Sequence, residues 1–324
     1  MTKNMSNELI LNPNKKKRVI VDIHIHIFNQ INGRNSDGFT SSLPYGKVKT
    51  STGEMQFMPP YSRETSFPVD VIVEMMNFAG ISKAVLLQNP VIGIVNNEVS
   101  DAISKHTDRF IGCIQVDPLD EQAVEDIKKY SSNPKHNILK FEMSDGWGWS
   151  GIHKGLKLND DCFTPIWEIA SERNLPIILD PGRPNNPGYQ VEIINWLTSK
   201  YSNLTFILEH MGAMNKENLH MKNRWTEMVQ LGKKKNIFLG MAAMGAGLRE
   251  DFPCPQALAM LKEGIEMVGI EKVLWGSDIP GTLSSYTYSQ MLDVVVTYAD
   301  FLSERDKDLI LGENALRVLT GFTN

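Results

Sequence analysis

Three imidazoles and a handful of carboxylates carry the chemistry this chain could perform. Residues 22–26 read Asp-Ile-His-Ile-His inside the apolar run VIVDIHIHIF. Histidines at i and i+2 of an extended segment project from one face, and two imidazoles so placed can chelate one metal ion. His210 follows NLTFILE, Asp278 lies in LWGSDIP, Asp180 ends LPIILD, and Lys140 and Glu142 alternate in NILKFE. Each therefore sits in or just after a short apolar, β-branched run. Taken singly, these residues have ordinary explanations. A lone inward histidine is more often a hydrogen-bonded core residue than a ligand, and a strand-end aspartate commonly caps the following helix. Convergence on one place is what would defeat those explanations together.

The elements that must position them alternate regularly. Strands are predicted at 18–26, 83–88, 110–116, 137–142, 175–180, 203–209, 236–241 and 272–276. Helical patterns lie between and after them, at 70–79, 95–106, 121–131, 163–173, 188–200, 215–232, 255–268 and 285–299. Strand–helix alternation implies βαβ units and a parallel sheet. Eight such units over about 250 residues fit a closed (β/α)8 TIM barrel better than an open sheet, and no G-x-G-x-x-G follows the first strand. Alternate side chains of a barrel strand point inward. The apolar set Val19, Val21, Ile23 and Ile25 is thus expected against the helices, and Asp22, His24 and His26 toward the barrel axis. By the same alternation Ile178 shares a face with Asp180, and Phe206 and Leu208 share one with His210. Five strands then bring ionisable groups to the C-terminal rim, where sites of this fold lie. His106, His136, His153 and His220 fall on helices or loops and are expected at the surface, His153 being of interest because its loop follows strand 4.

Two stretches fall outside the repeat. Residues 27–69 are rich in Gly, Asn, Ser and Pro, and so long a connection reads as a lid or binding loop. Residues 303–322 add one or two C-terminal helices. Residues 1–17 read as a flexible arm, and 18–324 as the barrel.

The 324 residues carry a net charge of −5, which gives no electrostatic case for a nucleic-acid partner. No stretch has the apolar length to span a membrane, and Asp22, His24 and His26 interrupt the run that follows the basic residues 15–18. Cys113, Cys162 and Cys254 are odd in number and lack C-x-x-C spacing, so reduced thiols and a cytoplasmic location are expected.

The ordered set D-x-H-x-H at 22–26, DRFIGCIQVDP at 108–118, HMG at 210–212, GSD-x-P at 276–280 and GENALRVL at 312–319 resembles the amidohydrolase-related family, and within it the branch that includes aminocarboxymuconate-semialdehyde decarboxylase. The resemblance runs from about residue 18 to the end. It implies a barrel with one divalent metal ion. His24, His26 and Asp278 become ligands, and His210 a catalytic base or carbonyl-polarising group. Asp180 stands where the family usually has a ligating histidine. Aspartate also ligates zinc or manganese, so Asp180 is carried as a fourth ligand, with a metal-free site as the alternative.

Hydrolysis of a small carboxylated or aromatic amide, ester or lactone is the leading expectation. Asp278 or His210 would take the proton of the attacking water, whose pKa the ion lowers. Non-oxidative decarboxylation on the same residues is the second reading, and a barrel that binds without catalysis the third. Arg63, Lys140, Glu142, Trp147, Trp149 and Arg183 are candidate substrate contacts, the two arginines because a guanidinium fork suits a carboxylate. The resemblance also implies a possible homodimer.

Overall fold

The computed structural model describes residues 18–319 and Gly321; the arm expected at 1–17 lies outside them. All eight predicted strands form. They are β1 (Val21–His26), β6 (Lys83–Leu87), β7 (Phe110–Ile114), β8 (Ile138–Glu142), β9 (Ile177–Asp180), β10 (Phe206–Leu208), β11 (Ile237–Met241) and β12 (Val273–Trp275), paired in parallel in that order. The ring closes just past β12. The amides of His26 and Asp278 donate to the carbonyls of Ile279 and His24 at 2.9 and 2.8 Å, and Ile25 bridges Ile279 in parallel. The result is a (β/α)8 barrel with helices between the strands and further helical turns at Glu304–Asp308 and Asn314–Val318.

Between β1 and the first helix, residues 32–56 are not irregular loop. They make an antiparallel meander of β2 (Asn32–Asn35), β3 (Gly38–Leu43), β4 (Lys47–Thr50) and β5 (Gly53–Gln56). Its strands are four to six residues long and mostly polar, with Val48 and Met55 the paired apolar residues of the inner face, so alternation is too short to reveal them. Thr40 and Val48 are buried beneath it, and the Thr40 hydroxyl donates to the Val91 carbonyl at 2.7 Å.

Apolar side chains form two shells. The inner one fills the barrel with one or two residues per strand, among them Val21, Ile23, Val85, Ile111, Ile178 and Leu274, and Ala315 and Leu319 close its floor. The larger outer shell lies between strands and helices and includes Ile25, Leu86, Phe141, Phe206 and Leu208.

These shells correct the expected facing of β1. Val21 and Ile23 point into the barrel. Asp22 turns outward, accepting the Tyr288 hydroxyl at 2.8 Å and the amides of His24 and Ser277 at 2.9 Å each. The alternation flips because β1 carries a bulge. Asp22 and Ile25, three residues apart, pair with Ala84 and Leu86, only two apart. One extra residue re-aims everything after it, so His24 and His26 face the mouth while Ile25 joins the outer shell. His136, expected at the surface, is fully buried, with its ring nitrogens 2.9 Å from the Ser100 hydroxyl and 3.0 Å from the Cys113 carbonyl.

Candidate active site

At the C-terminal rim, His24 Nε2 and His26 Nε2 lie 3.1 Å apart, and each lies 3.3 Å from Asp278 Oδ1. The bulge supplies the two imidazoles. Asp278 reaches them from the other side of the barrel seam through a left-handed backbone at φ 63°. This triangle fits a divalent ion. Tetrahedral zinc with bonds of about 2.0–2.1 Å holds its ligands about 3.3 Å apart, and two imidazole nitrogens at 3.1 Å repel unless a cation or a proton lies between them. Glu209 Oε2 is 2.8 Å from His24 Nδ1, which leaves Nε2 free as the lone-pair donor. Burial pushes the pKa of His26 down to about 4, against the opposing pull of Asp278, so its ring is neutral at pH 7, as a ligand must be. Burial would raise Asp278, but the neighbouring imidazoles, cationic His210 among them, outweigh it and hold the carboxyl near 2.

His210 follows β10 and is brought to the mouth differently from expectation. Phe206 and Leu208 belong to the outer shell and Ile207 to the inner, so by alternation Glu209 is the inward residue. His210 turns in because it leaves the strand at φ 55°, followed by Met211, Gly212 and Ala213, all at positive φ. Its Nδ1 donates to the Ala242 carbonyl at 3.1 Å, and Nε2 meets Asp180 Oδ2 at 3.2 Å. Burial alone would depress the His210 pKa, but the Asp180 carboxylate outweighs it and lifts the pKa to about 10. In return, and against its own burial, His210 holds Asp180 well below the usual carboxylate range.

Asp180, carried as a ligand on the resemblance, is thus placed against His210 and not in the His24–His26–Asp278 triangle; its Oδ1 accepts the Gly182 amide at 2.8 Å. Lys140 is fully buried below the mouth, 3.3 Å from Glu142 Oε2. Burial disfavours its charge, yet Glu142, Asp180 and Glu209 together raise its pKa. Glu142 is shifted upward, by burial first and then by Asp180, with Lys140 opposing. The mouth therefore gathers four carboxyl groups, Glu142, Asp180, Glu209 and Asp278, around two basic side chains, Lys140 and His210, an acidic surplus that suits a cation in the triangle.

Above the triangle opens a cavity of about 460 Å³, lined by His26, Phe57, Asn89, Trp147, Arg183 and Asn186 among others. Trp147 stacks on Phe57, which follows the meander, with ring centres 5.7 Å apart and planes 19° apart. Glu142 and Arg183 line the same space, whereas Arg63, Lys140 and Trp149 do not. Arg63 is exposed on the segment after β5. Trp149 is 1% exposed and stacks on His153, which is itself 2.8 Å from Asp117 Oδ1.

The residues missed in the sequence are Glu209, Asn89, Phe57 and Asn186. Glu209 was legible in principle, as a carboxylate between an apolar strand and a candidate histidine. The others had no signal apart from the fold.

The amidohydrolase family model matches residues 21–320. Among solved structures, the chain is similar to a probable 2-pyrone-4,6-dicarboxylic acid hydrolase from Acinetobacter baumannii (16% identity, 93% of this chain and 99% of that one, TM-score 0.69). It is also similar to an amidohydrolase from Burkholderia multivorans with bound zinc (13%, 93% and 99%, 0.68) and to 5-carboxyvanillate decarboxylase from Sphingomonas paucimobilis (18%, 76% and 82%, 0.54). At these identities the likeness is one of fold. Comparison with curated proteins gives no match. With the family model spanning nearly the whole chain and the barrel already in view, this protein belongs to the amidohydrolase family.

Proposed function

We propose that this chain is a metal-dependent hydrolase of a small carboxylated amide, ester or lactone, with one divalent ion, zinc or manganese, held by His24, His26 and Asp278. The observation that carries the reading is the triangle of donors 3.1 to 3.3 Å apart at the floor of the cavity. When bound, the ion supplies Lewis acidity at the carbonyl and at the attacking water. His210, held cationic by Asp180, brings positive charge to the carbonyl oxygen as negative charge develops there, sharing its Nε2–H with Asp180; in that state it is an acid and not a base. Proton acceptance falls to Asp278, the carboxylate nearest both imidazoles. Arg183 pairs with a substrate carboxylate at the rim, and the Phe57–Trp147 stack offers a flat apolar wall.

A cationic His210 also suits a second reading, since the same proton delivered to a ring or alkene carbon would accompany loss of carbon dioxide. Metal analysis of the purified protein and of His24→Ala, together with ester, lactone and amide hydrolysis and headspace carbon dioxide from a panel of aromatic and unsaturated acids, separates the two. One ion per chain, lost in the variant, with hydrolytic turnover is expected. Carbon dioxide release without hydrolysis would transfer the site to the second reading. A protein that takes up no divalent ion would remove the metal from the proposal.

A further inference from the structure

The geometry points to a positioning chain, Gly240 to Glu209 to His24, that fixes which nitrogen of His24 carries its proton and thereby sets how tightly the site holds its ion. The inference rests on the metal reading for its effect on affinity, but its structural half does not.

Glu209 is fully buried. Its Oε2 lies 2.8 Å from His24 Nδ1, while Oε1 has no hydrogen-bond partner among the described residues. A carboxylate only accepts hydrogen bonds, so the contact requires the proton on Nδ1 and leaves the Nε2 lone pair facing His26 and Asp278. The other tautomer would aim an N–H into the donor triangle and exclude a cation. Position 209 is therefore the switch between a ring that can ligate and one that cannot.

Gly240, in the middle of β11, decides where that carboxylate can be. Its backbone is not in the left-handed region, so β11 itself does not call for glycine there. What calls for it is Glu209. A Cβ built at 240 would stand 2.8 Å from Glu209 Oε2 and 3.0 Å from its Cδ, well inside contact distance. Even alanine would force that carboxylate to move, and the atom met first is the oxygen that holds His24, although residue 240 lies outside the donor triangle. Ordinary strand packing does not account for this, because β11 is otherwise built of Ile237, Phe238, Leu239 and Met241.

The test uses the full chain stripped with a chelator. Cobalt(II) is titrated as probe, with affinity taken from competition and coordination from its visible bands. Imidazole nitrogen chemical shifts of the metal-free protein report the His24 tautomer, the signal being identified by its absence in His24→Ala. Gly240→Ala and Glu209→Leu are expected to weaken cobalt binding about 10- to 100-fold and to let His24 populate both tautomers. Glu209→Gln, which keeps an acceptor oxygen, should retain the Nδ1–H form and lose less affinity. Should Gly240→Ala fail to fold by circular dichroism, the Glu209→Leu and Glu209→Gln pair decides. Unchanged tautomer and affinity in Glu209→Leu would overturn the chain. If the native protein binds no cobalt, the metal reading fails, and the tautomer measurement still decides the structural half.

Discussion

Replacing Asp180 with asparagine should turn His210 from a cation into a neutral ring at physiological pH. In the folded protein the His210 pKa stands at about 10 against an ordinary 6.5, and the leading favourable influence is the carboxylate 3.2 Å from Nε2. A displacement of that size corresponds to on the order of 5 kcal/mol favouring the protonated ring. In Asp180→Asn, burial would be opposed only by the smaller influences of Asp278 and Glu209, and the pKa should fall by several units. The sign for stability follows from linkage. A pKa raised on folding contributes stability that is fully present below pH 6.5 and is lost as the pH rises from there through about 10. Chelator-treated wild-type protein should therefore weaken steadily across that window, and Asp180→Asn should not. The assay is a nuclear magnetic resonance titration of the His210 ring, paired with denaturant unfolding at intervals between pH 6.5 and 10. A wild-type His210 that titrates near 6.5, or an Asp180→Asn variant with the same alkaline loss of stability, would refute the argument for a cationic His210.

Substituting His26 by alanine should abolish stoichiometric uptake of zinc while leaving the far-ultraviolet circular dichroism unchanged, checked by metal analysis after dialysis. Burial lifts the Asp22 pKa to about 6 against the hydrogen bonds from Ser277, His24 and Tyr288, so its ionisation should cost stability, on the order of 3 kcal/mol, as the pH rises from about 4 through 6. Asp22→Asn keeps an acceptor for both amides and should flatten that part of the stability profile, read by urea unfolding. Trp149→Ala should lower stability by about 3–5 kcal/mol, as for a large buried aromatic, whereas Trp147→Ala, at a half-buried position, should cost less stability and raise KM for whichever substrate turns over.

The order and type of the barrel elements could be read from the chain, because buried parallel strands are short apolar runs and the helices between them carry clear periodicity. The histidines and aspartates at strand ends were legible for the same reason: ionisable groups there have few places to go but the rim. What could not be read was which way each side chain turns. Strict alternation put Asp22 inside with His24 and His26, but a single extra residue in β1 reverses the pattern between them. Alternation likewise grouped His210 with Phe206 and Leu208, when positive backbone angles from 210 to 213 bring it in and leave Glu209 as the inward residue. Neither bulges nor left-handed turns at non-glycine positions leave a mark in hydrophobic periodicity. The meander at 32–56 was hidden because a small sheet of short, mostly polar strands resembles loop composition.

The place where the barrel closes has a consequence for how the protein is born. His24 and Asp278 face each other across the join between the earliest and latest strands of the ring, tied by Asp278 N–H to the His24 carbonyl. A nascent chain still lacking its final strand would own two of the three donors and no third, however well its earlier units had packed. Ion capture at this site would therefore come last in biosynthesis, after the circle is complete, and the captured ion would act as a clasp on the weakest link of the ring.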